Sequence, residues 1–159
     1  MVDPILGHLN KELPLEIKTK ETNPKDSVGI GKPPFTTVPA QVVAELGLAM
    51  MEGARKYGRH NYRIAGVRAS VYVDAAMRHL LAYWEGEDTD PDSGLSHVIK
   101  AIASLSVLRD AQINGVCTDD RPPSPPPGWI AELSKKATAI IERYPNPKEA
   151  YTIASTKRG

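Results

Sequence analysis

Between Glu52 and His97 the chain concentrates residue types that handle phosphates and cations: EGARKYGRHNYR, then DAAMRHLLAYWEGEDTDPDSGLSH. Asp74, Arg78, Leu81 and Glu85 recur at i, i+4, i+7 and i+11, which puts two acids and a base on nearly one side of a helix. Antiparallel pairing with the next helix is expected to set His97 opposite the Asp74 to Arg78 segment, close to His79. An Asp and a His converging inside a helix pair are costly unless paired or metal-bound. The turn between these helices adds Glu87, Asp88, Asp90 and Asp92. Carboxylates, imidazoles and a guanidinium in one hairpin suit a hard divalent cation holding a polyphosphate.

Each feature also has a purely structural explanation. Asp74 and Arg78 alone could form a surface salt bridge of little consequence. Asp90 before Pro91 reads as an N-cap with proline at the first helical position, and Asp92 suits a helix N-terminus. The spacing of Asp88, Asp90 and Asp92 also mimics the opening of a calcium loop. That reading fails, because Ser93 stands where the tight-turn glycine belongs and Ile99 where the closing glutamate belongs. Capping does not require Glu85, Glu87 and Asp88 as well, and a cation relieves their mutual repulsion.

Upstream, Arg55 and Lys56 fit the C-terminal end of a helix as dipole partners. Asn61 beside Tyr62 offers an amide for a base or sugar edge next to a face for stacking. Arg63 and Arg68 could neutralise phosphate oxygens bidentately.

These residues need helices to position them. One is expected from Pro39 to Lys56, with Val42, Val43, Leu46, Met50 and Ala54 as its apolar stripe. A second runs from Arg68 to Trp84, burying Val71, Val73, Met77, Leu80, Leu81 and Trp84. A third runs from Pro91 to Asn114, carrying Val98, Ile99, Ile102, Leu105, Val107 and Leu108, and Gly115 stops it. Residues 1–38 hold Pro4, Pro14, Pro24, Pro33 and Pro34 and read as a mostly extended or looped arm. Residues 39–120 form the expected catalytic helical domain. Residues 121–159 supply a stiff connector, RPPSPPPGW, then an amphipathic helix from Trp129 to Tyr144 and a tail. No stretch alternates long enough to demand a strand, so the fold class is all-α, a helical bundle.

Composition limits the function classes. With 159 residues, 41% hydrophobic and 25% charged, the chain can make one domain with an ordinary core plus arms. A net charge of +1 gives no field for bulk nucleic-acid binding. Cys117 is the single cysteine, which excludes an internal disulfide framework. No signal peptide and no bilayer-length apolar run stand out, so a soluble intracellular protein without membrane attachment is expected.

Taken together, NPKDSVGIGKPP, EGARKYGRHNYR, GVRASVYVDAAMRHLLAYWEGEDTDPDSGLSH and DAQINGVCTDDRP resemble the phage dATP/dGTP diphosphohydrolase family of the MazZ type, over roughly residues 23–122. That family is related to the all-α NTP pyrophosphohydrolases, including MazG and the dimeric dUTPases. The resemblance implies a MazG-like homo-oligomer, a dimer or tetramer, in the cytoplasm of an infected host cell. It implies Mg2+ or Mn2+ as cofactor and a purine deoxynucleoside triphosphate as substrate. Cleavage between the α and β phosphates would convert dGTP, and by extension dATP or GTP, to the monophosphate and pyrophosphate. Such enzymes are associated with phages that place 2-aminoadenine in their DNA.

The wider superfamily carries ExxE in one helix and ExxD in the next. Here Glu52 has Ala49 in the partner place and Asp74 has Val71, so Asp88 and Asp92 are expected to complete a metal set with Glu52 and Asp74. Tyr62 stands where many members carry tryptophan. Asp74 and His97 are the expected catalytic residues, with His97 or a carboxylate accepting a proton from water. Lys32, Lys56, Arg63, Arg68 and Arg78 are candidates for neutralising the triphosphate, and Asn61 and Tyr62 for purine choice. Two other enzyme readings stay open on chemistry alone. A His-Asp phosphohydrolase is disfavoured by the lack of an adjacent His-Asp pair, and a broad house-cleaning nucleotide hydrolase differs only in substrate range. A non-enzymatic helical adaptor binding through PPSPPP is the alternative from another class.

Overall fold

The computed structural model describes residues 23–156. The arm's Pro4 and Pro14 lie outside the described residues. The chain divides into two compact units, Met1–Ala40 and Gln41–Gly159.

In the first unit, a short helix interrupts the part of the mostly extended or looped arm that is described. Asn23 caps a short helix α1, Pro24–Gly29, by accepting a hydrogen bond from the Lys25 amide, and Pro24 opens it. Asn followed by Pro is an N-cap and first-position pair, a start signal that the count of prolines obscured. A single 3-10 turn, Phe35–Thr37, follows Pro34.

Among the described residues the rest is all-α, apart from one two-residue strand pair. Helix α2 spans Ala40–Tyr57, α3 Asn61–Ala65, α4 Ala69–Trp84, α5 His97–Ile113, α6 Trp129–Arg143 and α7 Ile153–Thr156. Helices α4 and α5 make the central hairpin. His79 near the end of α4 meets His97 at the start of α5, while Ala69 shares a cluster with Leu108 and Ala111, so the two helices run antiparallel.

The hairpin is sealed by small side chains. Ala69, Ala76, Ala101 and Ala111 are buried, the last completely. The apolar stripe expected to face inward on α4 instead faces out: Val71, Val73, Met77, Leu80, Leu81 and Trp84 are all exposed, Trp84 at 80%. Alanine at the contact lets two helix axes approach closely, and the larger residues then fall on the flanks. On α2, Val42 and Val43 are exposed and Ala49 is buried. On α5, Ile99 and Leu108 are buried, whereas Val98 and Leu105 are exposed.

The third helix begins at His97 rather than Pro91. Ser96 is its cap, accepting from the Val98 amide. Asp90 organises a turn instead of a helix start: its carboxylate accepts from the Asp92 amide and the Ser93 hydroxyl, and its carbonyl accepts from Gly94. The Asp88 carbonyl accepts from the His97 amide at 3.1 Å, which locks the end of the turn to the new helix.

Before α4, Val67–Arg68 (β1) pairs in parallel with Cys117–Thr118 (β2). Gly66 makes this possible, because its φ is +73 and a Cβ there would lie 2.8 Å from the Val116 carbonyl oxygen. That carbonyl accepts from the Val67 amide. Strands this short leave no alternation to read. After the proline connector, α6 buries none of its residues.

Candidate functional site

A cavity of about 810 Å³ opens within the second unit, between the C-terminal half of α2, the Gly58 to Tyr62 segment, and the facing sides of α4 and α5. That size accommodates a nucleotide. Its walls differ in character: Asn61, Tyr62, Tyr72 and Val107 line one part, and Glu52, Lys56, His79 and Lys100 another.

The charged wall is an ion-pair network. Glu52 accepts from Lys100 through one oxygen and from Lys56, at 2.6 Å, through the other. The Lys100 hydrogen bond, then that of Lys56, holds the Glu52 carboxyl below its ordinary range. Lys56 also reaches Asp92 at 3.0 Å, and Lys100 lies 3.6 Å from Asp90. These carboxylates hold Lys56 firmly protonated. Asp90 is itself held low, first by the Ser93 hydroxyl, with the Asp92 amide and Lys100 contributing.

The aromatic wall begins at a backbone turn. His60 adopts a left-handed conformation, φ 61, the only positive φ at a non-glycine among the described residues. Such a conformation at a bulky side chain is costly and is held in place by its surroundings. His60 stands edge-on to Tyr62, ring centroids 6.2 Å apart. Tyr62 packs against the core cluster of Val67, Ala69, Leu108 and Ala111.

The residues singled out in the sequence are placed as follows. Glu52, Lys56, Asn61 and Tyr62 all line the cavity. Asp74 is exposed, as is Arg78, and neither lines it. The place opposite His97 is taken by His79, with the two Nδ1 atoms 2.9 Å apart. Five residues along a helix turn the side chain well around the axis, so Asp74 and His79 cannot share that face. His97 is buried at 5% exposure, behind His79. Asp88 is exposed and contributes its carbonyl, and the Asp92 carboxylate is 77% exposed and paired with Lys56.

Arg63 is occupied by Asp110 through two hydrogen bonds, at 2.9 and 2.6 Å. Arg68 stands at the N-cap position of α4 without a capping side-chain hydrogen bond, and its Nε lies 3.9 Å from Asp120, outside the cavity lining. Lys32 belongs to the first unit. Among the described residues no three His, Cys, Asp or Glu side chains group to hold a metal ion. The set Glu52, Asp74, Asp88 and Asp92 is thus not drawn together within this chain, and Glu52 is the only one of the four on the cavity wall.

Sequence reasoning missed Lys100, Tyr72 and Ser104. Lys100, Ser104 and Val107 follow His97 at i+3, i+7 and i+10, one face of α5. That periodicity is local and legible, next to a turn dense in acids.

Among the described residues, no helix is long and apolar enough to cross a membrane. No solved structure matches the chain. A dATP/dGTP diphosphohydrolase of Salmonella phage PMBT28 is 30% identical over 91 residues, which cover 57% of this chain and 31% of that protein. The chain therefore matches less than a third of the length of that relative. The model of the family described as dATP/dGTP diphosphohydrolase, N-terminal, matches residues 22–121. That match takes in both helices of the central hairpin and every residue lining the cavity, and the chain belongs to this family.

Proposed function

We propose that the chain is a nucleoside triphosphate pyrophosphohydrolase that converts dGTP, and also dATP, to the monophosphate and pyrophosphate. The family and the phage relative's name support a phosphoanhydride hydrolase acting on purine deoxynucleotides. The observation that carries the reading is one cavity offering both ends of a nucleotide a partner. Lys56 and Lys100 supply fixed positive charge for phosphate oxygens, while Asn61 and Tyr62 supply an amide and a ring for the base or sugar.

Water attack on a phosphoanhydride needs charge neutralised, the nucleophile placed and a proton accepted. The lysines serve the first need and the cavity walls the second. Mg2+ or Mn2+ would polarise phosphate oxygens. Glu52 alone of the four expected acids lines the cavity, and among the described residues no donor set for a metal comes together, so no step here depends on one. In a phage that builds 2-aminoadenine DNA, the reaction would supply dGMP as precursor. The exposed apolar flanks of α4 and α6 favour self-association into a dimer or tetramer.

Chromatography of products from purified protein and dGTP, with and without Mg2+ or Mn2+, tests the reading. Release of dGMP and pyrophosphate in equal amounts is expected. Stepwise orthophosphate release would refute it, and equal turnover of all nucleotides would instead mark a house-cleaning hydrolase.

A further inference from the structure

His97 is more than nine-tenths buried, and among the described residues its Nε2 has no hydrogen-bond partner. That nitrogen faces the Glu87 carboxylate, with Oε2 3.6 Å away. The other ring nitrogen, Nδ1, meets Nδ1 of His79 at 2.9 Å. Two imidazole nitrogens this close require one N–H and one lone pair between them. If neutral His97 donated through Nδ1, its bare Nε2 would confront a carboxylate in a buried site. The opposite arrangement turns Nε2–H towards Glu87 and leaves Nδ1 of His97 to accept from Nδ1–H of His79. The remaining ring nitrogen of His79 is then Nε2, carrying a lone pair, and His79 rather than His97 lines the cavity.

We propose that His79 is the general base of the cavity and that Glu87 and His97 are positioning residues that fix its tautomer. This rests on the reading of the cavity as a phosphoanhydride hydrolysis site. In the step, the water oxygen bonds to one of the two phosphorus atoms flanking the α–β bridging oxygen. The bond from that phosphorus to the bridging oxygen breaks, and the bridging oxygen departs with the electron pair on the other product. The proton of the water passes to His79 Nε2. A second phosphate charge therefore develops beside the lysine-bearing wall as the imidazole becomes cationic.

The groups around His79 suit a base. His97 and Lys100 from α5, and Arg78 on its own helix, oppose its protonation, as does burial; Asp90 from the turn favours it. Glu52 and Lys56 of α2 share the cavity with it. Burial is the largest influence, and the sum lowers the pKa, so the ring is neutral near pH 7.

Long-range 1H–15N correlation spectra of protein labelled in histidine read each tautomer directly, independently of turnover. The expected result is Nδ1–H for His79 and Nε2–H for His97. The reverse assignment in the wild type would overturn the proposal. Glu87→Lys, at a half-exposed carboxylate, places a cation beside Nε2. It is expected to shift the pair towards the reverse tautomers and to lower kcat with KM little changed; unchanged spectra and kcat would overturn the positioning role.

His79→Gln is expected to lower kcat on the order of a hundredfold or more and to remove the acid limb of the kcat/KM profile. A loss under threefold with the limb intact would overturn the base. Failure of the wild type to release pyrophosphate from dGTP would refute the hydrolase reading itself, while leaving the tautomer measurement to stand or fall alone.

Discussion

Lys100 donates a hydrogen bond to Oε2 of Glu52, so the first turn of α5 is pinned to the C-terminal half of α2 by a pair of half-buried charges. Each partner is engaged elsewhere too, Glu52 by Lys56 and Lys100 by Asp90. The network fixes a cation on the cavity wall before any substrate arrives, and fixed charge contributes most where reorganisation is not required.

Lys100→Ala is therefore expected to lower kcat/KM on the order of a hundredfold, as removal of a preorganised charge does at other phosphate and oxyanion sites. The stability cost is expected near 1 kcal/mol, because Lys56 still satisfies Glu52. Lys56→Ala, at a more exposed position, should leave the denaturation midpoint close to the parent's, since a solvent-screened ion pair contributes little. Steady-state kinetics with denaturant melts checks both, and an unchanged kcat/KM for Lys100→Ala would remove it from the site.

Acid sensitivity should follow from His79. Its pKa lies below the usual 6.5 because of burial first and the neighbouring His97 second. On acidification the unfolded chain takes up the proton before the folded one does. Its contribution is therefore fully present above 6.5 and is lost as pH falls through the depressed folded value. The depressed carboxyls of Glu52 and Asp90 act in the same direction only at lower pH, below their usual 4.5 and 3.8. Thermal melts between about pH 8 and pH 5 should show wild-type stability falling, with a shallower slope for His79→Gln. Parallel slopes would contradict this.

Gly66→Ala is expected to destabilise the protein by about 2 kcal/mol. It forces a side chain into a left-handed φ and brings a Cβ to 2.8 Å from the Val116 carbonyl oxygen. The strand pair before α4 would have to open, which moves Tyr62 through the core cluster it shares with Val67. A melting temperature equal to the parent would show that the segment relaxes freely.

What the sequence made legible divides along physical lines. Helices α2, α4 and α6 match the expected spans to within one residue at each end, because a 3.6-residue rhythm and Pro or Gly punctuation are local. On α4 the large apolar residues carry the helical rhythm, but alanines pack the hairpin, so the rhythm does not mark the inner face. Equal distance from the turn sets the Asp74 to Arg78 segment opposite His97, but it does not fix which side chain faces inward, and His79 holds that place. Asp90 and Pro91 carried a helix-start signal, but Ser96 carried one too. Hydrogen bonds from Ser93, Asp92 and Gly94 keep Asp90 in the turn. Local spacing puts Lys100 on the His97 face of α5, but its pairing with Glu52 depends on α2 meeting α5, a long-range contact that no local pattern encodes.

Self-association should be measurable by light scattering at micromolar concentration. Met77, Leu81 and Trp84 on α4, and Ile130, Leu133, Ile140 and Ile141 on α6, leave more apolar surface exposed than a small monomer ordinarily carries. A mass at least twice that of the 17.3 kDa chain is expected. A monomer would contradict the oligomer.

Purine preference should depend on Tyr62. Its ring lines the cavity, is braced by the core cluster behind it and stands edge-on to His60, so it is held as a fixed face rather than a mobile one. A purine presents more area to such a face than a pyrimidine and loses more when it is removed. Tyr62→Leu, which keeps an apolar side chain at the core contact while removing the ring, is expected to cost dGTP roughly 1–3 kcal/mol in kcat/KM and dCTP less, narrowing the ratio between them. Asn61→Ala should reduce discrimination separately, through its amide, with the core undisturbed. Competition assays with paired nucleotides resolve the two effects. A Tyr62→Leu protein that loses equally on dGTP and dCTP would place the base elsewhere, against Tyr72 or Val107 on the same wall.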